Sequence, residues 1–330
     1  MEVIKMKWKN LLNVYKRSEF VAFVLCFILI IVLGVLSPIF LDVNNLDSLQ
    51  TAIAPNVIIA IGMMALLITG NFDLSVGSIM SISGVVTAAL LTNGQSVFLS
   101  ILAGIFVGSA IGLLNGLLVA KIGINPLIAT IGTMYMVRGV SEILLVGKGR
   151  EGFRNFSQSF INLGTGKFLG IYHMFWIMLF LLVAFQLFLK YTPAGRRLYY
   201  IGGDREAAKQ MGFNVDRIKI ATYILSGTLS ALAGILATAR YEMANRYMGQ
   251  GMHMSIIISC IIGGGSLAGG KGSVVGAFFG VLFTTLLTNC FNLFEVKPQW
   301  QSVVIGAILV IVVASDGYLF LRKQRELGKI

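Results

Sequence analysis

Long apolar runs recur from one end of this chain to the other, and they dictate what it can fold into. Hydrophobic residues make up 56% of its 330 residues and charged residues only 12%, against about 25% charged in an ordinary soluble domain. A bilayer core takes about 20 apolar residues per helix. Ten such segments are read at 20–36, 51–69, 76–92, 97–119, 124–145, 171–189, 219–239, 253–268, 274–291 and 300–314. Glycine interrupts the third, eighth and ninth, which blurs their ends. Backbone N–H and C=O groups must find their partners inside each segment when lipid surrounds it. The expected fold is therefore all-α: a polytopic membrane helix bundle of about ten transmembrane helices.

Charge sets the expected orientation, because cytoplasmic loops carry the excess of Lys and Arg. With the N-terminus inside, the inner segments hold five such residues in 1–19, Lys121, seven in 190–219, Lys271 and four in 316–330. The outer segments hold Lys148, Arg150, Arg154, Lys167, Arg240, Arg246 and Lys297, and Arg138 falls within a span. Both termini are thus expected in the cytoplasm. The organisation is a basic N-terminal stretch (1–19), a transmembrane body (20–315) with a basic cytoplasmic loop at 190–219, and a basic tail (316–330). The first apolar run ends in Ser37-Pro38 without a small-x-small cleavage site, so it reads as a retained helix rather than a signal peptide. The net charge of +12 is explained by loops facing anionic lipid and needs no nucleic acid. Cys26, Cys260 and Cys290 each sit in an apolar run and form neither a disulfide framework nor a metal site. No catalytic residue, metal ligand or cofactor is expected.

Three short stretches stand apart from the apolar background. In Gly202–Asn214, Asp204 suits a helix N-cap, Arg205 to Met211 are helix formers, and Gly212 suits a left-handed C-cap. A two-turn cytoplasmic helix follows. It is either a plain connector or a handle that a soluble partner grips, with Ala207 and Ala208 leaving one face flat. In Gly70–Ser78, Asp73 lies between two apolar segments, where an ionisable residue is a functional candidate; it could equally cap the next helix, with Ser75 as the rival cap. The third stretch is Ile262–Ser273. Gly265, Gly270 and Lys271 mimic a nucleotide-binding P-loop, but Gly272 stands where Ser or Thr would hold magnesium. A broken helix or a close backbone approach is the better reading.

In this order the three stretches resemble the permease subunits of bacterial ABC importers of the ribose and monosaccharide class. Gly70, Asp73, Leu74, Ser75, Val76 and Gly77 match one family segment. Glu206, Ala207, Ala208 and Gly212 match its Glu-Ala-Ala-x-x-x-Gly loop, and Ile262 to Ser273, including Gly263, Gly264, Ser266, Gly269 and Gly270, match its glycine segment. The likeness covers roughly residues 50–315. It implies a subunit of the bacterial cytoplasmic membrane that pairs with a second permease subunit, identical or related, and has no ATP site of its own. It further implies two cytoplasmic ABC ATPase domains docked at Asp204–Gly212 and an extracytoplasmic sugar-binding protein that delivers the solute. Within that class the cargo could instead be a nucleoside or a sugar-derived signalling molecule. From a different class, an ion-coupled secondary transporter is the competing reading, although paired half-repeats are not evident.

One departure stands out. Relatives often carry Gly-Tyr-Glu-Leu-Asp-Ala-Ile before the glycine segment; here the run is Gly251-Met252-His253-Met254-Ser255-Ile256-Ile257. Both acidic positions are missing, so no site residue and no plain ribose assignment carries over there. Glycines at 104, 108, 112 and 116 form an i+4 stripe for close helix packing, within one subunit or across a dimer. Arg138 and Glu142, one turn apart, read as an ion pair. Asn115, Thr130, Thr133, Gln186, Thr284, Thr288 and Asn289 are candidate pore-lining residues.

Overall fold

The computed structural model describes residues 18–146 and 152–326. Most of the basic N-terminal stretch, Lys148, Arg150 and the last four residues of the tail lie outside the described residues. The chain is a bundle of helices with two very short antiparallel strand pairs. Its first half is α1 (Ser18–Leu36), a 3-10 turn (Pro38–Leu41), α2 (Val43–Ile68), α3 (Val76–Thr92), α4 (Val97–Leu117) and α5 (Pro126–Val146). Then come β1 (Gly152–Phe153), α6 (Gln158–Thr165), β2 (Lys167–Phe168), β3 (Ile171–Tyr172) and α7 (His173–Tyr191). The second half is α8 (Pro193–Gly203), α9 (Arg205–Gln210), α10 (Val215–Tyr241), β4 (Ala244–Asn245), α11 (Met252–Ile262), α12 (Val274–Leu293) and α13 (Pro298–Glu326).

Among the described residues, seven helices are long and apolar enough to cross a membrane: α1, α2, α4 with its π-helical continuation to Ile122, α5, α7, α10 and α12. The expected spans at 76–92 and 253–268 correspond to the shorter apolar helices α3 and α11. The latter ends at Ile262, six residues early, because the glycines that follow leave the helical conformation: Gly264 is at φ 95°. Conversely α2 begins at Val43, eight residues before the expected start. Its first two turns are polar, and Asn45 and Asp47 there reach across to Asn289 of α12 and Lys167 of β2.

The centre of the bundle is α2, whose residues Val57–Ile68 are all buried. Between helices in lipid the gain from apolar burial is small, so close van der Waals packing must hold them together. The glycine stripe of α4 supplies it within the chain. A Cβ at Gly108 would lie 2.7 Å from the carbonyl oxygen of Gly227 in α10, and one at Gly116 would lie 2.9 Å from the Cα of Ile220. Gly276 and Gly280 of α12 do the same against the Gly263 and Ser259 carbonyls at the end of α11. Arg138 feels the charge of Glu142, one turn along, without forming a close ion pair with it among the described residues. Its guanidinium donates to the carbonyl oxygens of Arg246 (2.5 Å) and Met248 (3.0 Å) and so pins the irregular 242–251 segment that returns into the bundle.

Replacing Gly112, whose Cβ would overlap the Tyr223 carbonyl, by Leu is expected to cost about 1–3 kcal/mol or more of stability through overpacking. Gly132→Ala on α5, with nothing within 4 Å, is expected to leave it unchanged or raised by about 0.5–1 kcal/mol. Thermal unfolding of the purified protein in detergent checks both.

Candidate functional site

The three sequence stretches that stand apart converge at one end of the bundle. At the exit of α2 the Ile68 carbonyl accepts a hydrogen bond from the Gly270 N–H (2.9 Å), although helix geometry would leave that oxygen unpaired. Gly202, at the end of α8, lies against the same carbonyl so closely that a Cβ would overlap the oxygen. Gly269 completes the contact: a Cβ there would lie 2.7 Å from the Gly202 oxygen and 3.0 Å from the Gly70 Cα. Three loops thus meet backbone to backbone, and only glycine lets them do so. The Tyr199 hydroxyl donates to the Gly272 carbonyl (2.9 Å), a second tie between α8 and the glycine segment.

Beyond this junction hangs α9. The Asp204 carboxylate accepts from the Glu206 and Ala207 N–H groups, 3.0 Å each, which satisfies two donors that a helix start leaves free. Gly212 ends the helix at φ 81°, and the Phe213 N–H returns to the Ala208 carbonyl at 3.1 Å, a glycine-terminated C-cap. Ala208 does not lie on the flat open face expected of it. It is fully buried against Ile201 and Val215 and seats α9 on the bundle. The open face consists of Arg205, Glu206, Lys209, Gln210 and Met211. Among the described residues Glu206 is paired with Lys209 alone (2.8 Å), and its side chain is 73% exposed. Phe213 packs against Tyr200 with ring centroids 6.2 Å apart, and an open groove of roughly 540 Å³ runs beside it between Arg197 and Arg217.

Asp73 lies deeper than water can reach; it is 0% exposed. A bare carboxylate there would cost several kcal/mol, and hydrogen bonds offset that cost. Its Oδ1 accepts from the Ser75 N–H (2.8 Å) and Ser75 hydroxyl (2.6 Å). The Asn115 amide of α4 reaches both carboxylate oxygens (3.3 and 3.4 Å) and also donates to the Ser75 hydroxyl (2.9 Å). Asp73 and Ser75 therefore share the start of α3 rather than compete for it: Ser75 occupies the cap position and Asp73 binds the free N–H. Neighbouring groups fix the rest of the loop, with the Leu74 N–H donating to the Thr130 hydroxyl (3.1 Å) and the Tyr223 hydroxyl to the Phe72 carbonyl (3.0 Å).

Other predicted residues lie apart from this convergence. Gly77 packs on the backbone of Gly249, in the segment that Arg138 pins. Gly263 faces Gly276 of α12, and Gly264 and Ser266 shape the turn behind it. Of the candidate pore residues, Asn115, Thr130 and Thr133 are buried in packing around the Asp73 loop, and Gln186 accepts from the Val275 N–H. Thr284, Thr288 and Asn289 do line a cavity, of about 190 Å³, at the other end of the bundle. Three partners escaped the sequence reading: Ile68, Tyr199 and Tyr223. All three act through or upon a backbone carbonyl, which no side-chain pattern announces.

Comparison with known proteins assigns this architecture. Residues 45–313 match the permease family described as "branched-chain amino acid transport system / permease component". The chain belongs to that family. It is 33% identical over 303 residues to the ribose import permease protein RbsC of Haemophilus influenzae, covering 92% of this chain and 94% of that one. It is 37% identical over 290 residues to RbsC of Bacillus subtilis (88% and 90%), and 35% identical over 291 residues to the L-arabinose transport system permease protein AraH of Escherichia coli (88% of each). No solved structure matches the chain. It is a multi-pass membrane permease.

Loss of the Asp73 carboxylate in Asp73→Ala strands the donors of Ser75 and Asn115, a cost of roughly 3 kcal/mol or more at about 1–3 kcal/mol per orphaned group. Asp73→Asn is expected to keep most of the stability, because the Asn115 Oδ1, which has no partner, can turn to accept from the new amide. Thermal unfolding of the two variants beside the parent checks the order.

Proposed function

We propose that this chain is the transmembrane subunit of an ATP-driven importer, moving a monosaccharide or sugar-like solute inward across the bacterial cytoplasmic membrane. Ten spans place both termini and the 190–219 loop in the cytoplasm. Two copies, or one copy and a related subunit, enclose the pathway. A soluble ATPase docks on each exposed Arg205–Met211 face, and an extracytoplasmic binding protein delivers the solute. The chain contributes no chemistry to ATP hydrolysis; it converts the partner's motion into movement of helices.

The observation that carries this reading is the convergence of Gly202, Ile68 and Gly269–Gly270 behind α9. A connector with no partner needs neither a rigidly seated helix nor a backbone-level tie to the central span. Here the polar face of α9 points away from the bundle, its buried Ala208 anchors it, and the junction behind it meets α2. Force applied to α9 would therefore reach the core through nearly incompressible backbone contact. Relatives named for ribose and L-arabinose transport support a pentose or similar sugar as cargo.

Co-purification and reconstituted uptake test the reading. Glu206→Ala, and Gly212→Val at a left-handed position that β-branched residues rarely adopt, are expected to weaken retention of the ATPase while insertion stays normal. Uptake of labelled ribose or L-arabinose should require ATP. Parental docking and uptake in both variants would contradict the proposal. Uptake that survives ATP depletion and collapses with an uncoupler would replace it by ion-coupled transport.

A further inference from the structure

The end of the bundle opposite α9 holds two cavities that meet at Ala52 and Asn56 of α2. The first, about 190 Å³, is lined by Ser48 and Asn56 of α2, Ser255 of α11, and Thr284, Thr288 and Asn289 of α12. The second, about 450 Å³, is lined by Asn56 again, Pro55, Met80, Tyr241, Asn245 and Tyr247. Water occupies about 30 Å³ per molecule in the liquid, so either space is large enough for a small solute. Neither lining contains a charged residue among the described residues.

Asn56 is the polar residue common to both linings. Asn289 is engaged with Asn45 (2.7 and 3.3 Å), Thr284 with Ser259 (2.8 Å), and Asn245 with its own turn. The Asn56 amide makes no hydrogen bond to the protein among the described residues, and it stands on a helix otherwise apolar at that level. The Asn56 side chain is half-buried and opens onto both cavities, so its amide is available to a solute there. Next to it, Pro55 cannot supply the helical N–H that the Thr51 carbonyl would accept. The Asn56 amide thus offers a donor pair and an acceptor on the cavity side of α2.

We infer that Asn56 is a specificity-determining residue that binds an uncharged, hydroxyl-rich solute where the two cavities join. The inference rests on the import reading above and adds the site and its chemical selectivity. An amide carries both donors and an acceptor, which suits hydroxyl groups that do both. The Ser255 and Thr288 hydroxyls and the Tyr241 and Tyr247 rings extend the same surface on either side. A phosphorylated or carboxylated sugar would lose its hydration here and meet no charged side chain in either lining, the Arg246 guanidinium behind Tyr247 being engaged by that ring and hydroxyl; that is the costly case. Selection thus comes from uncharged linings as much as from hydrogen bonds.

The test uses the full chain in membranes. Cys26 and Cys260 are buried and Cys290 is half-buried, so Asn56→Cys is made in a Cys290→Ser background and alkylated with a small maleimide. Ribose or L-arabinose is expected to slow labelling about twofold at its half-saturating concentration and about tenfold at ten times that value. Ribose 5-phosphate at equal concentration should not protect. No labelling at all, no protection by either neutral sugar, or equal protection by the phosphate overturns the inference. In parallel, Asn56→Leu is expected to lower reconstituted uptake about tenfold, one lost hydrogen-bonded contact, and to alter the ratio of ribose to L-arabinose flux, while Asn56→Gln retains part of both. An unchanged rate and ratio in Asn56→Leu also overturns it. Protection without ATP-dependent uptake in the parent would sink the import reading and leave the site standing; ATP-dependent uptake without protection would do the reverse.

Discussion

The structure depends on a single carbonyl. Ile68 ends the most deeply buried helix of the bundle, and its oxygen would ordinarily be left without a helical partner. The Gly270 N–H satisfies it, and the Gly202 backbone is packed on the same atom. An unsatisfied buried carbonyl is costly, and a side chain at either glycine position would push the loops apart. The two requirements together fix three distant stretches in one arrangement. Because the contact is between backbones, it has no rotamers through which to relax, and a displacement of α8 and α9 must move the exit of α2.

The rest of the molecule extends this constraint in two directions. Around Asp73, a buried carboxylate is held by donors from Ser75 and from Asn115 of α4. These tie the 70–75 loop to the α4–α10 pair, whose close approach rests on the glycine stripe. At the far end, α2 reaches the cavities at Asn56 and pairs with α12 through Asn45 and Asn289. One long helix therefore has one end in the glycine junction and its opposite half in the uncharged cavities. Pro55 lies in the cavity lining itself, and proline within a helix is a common cause of bending. The chain joins the place where force would enter to the place where a solute would sit along a single element.

Much of this was legible in the sequence, and the reason differs from element to element. Seven of the spans were readable because lipid forces each one to be a long apolar run, and the boundaries of the shorter α3 follow directly from the residues. The short helix α9 was readable because Asp204 and Gly212 are chemically specific at their positions. Its orientation was not: which face of a two-turn helix is buried depends on Ile201 and Val215, brought beside it by neighbouring segments, and Ala208 turned inward as a result. The Gly202–Ile68 contact was invisible because backbone approach leaves no signature except glycine, and the chain has 38 glycines. Asn115 read as pore-lining because an amide in a span suits that role equally well; its true partner, Asp73, is 42 residues away. Arg138 likewise had a plausible neighbour one turn along, yet two carbonyls more than 100 residues distant took its donors.

The central claim is that α9 drives the bundle through the Gly202–Ile68 contact. The most direct measurement is the number of solute molecules moved per ATP hydrolysed, in proteoliposomes containing the chain with its ATPase and binding protein. It compares Gly202→Ala with Gly203→Ala, two adjacent glycines of which only the first has its Cβ position occupied. The account predicts that Gly202→Ala keeps the ATPase bound and hydrolysing while solute moved per ATP falls sharply, and that Gly203→Ala behaves as the parent. A parental ratio in Gly202→Ala would contradict it.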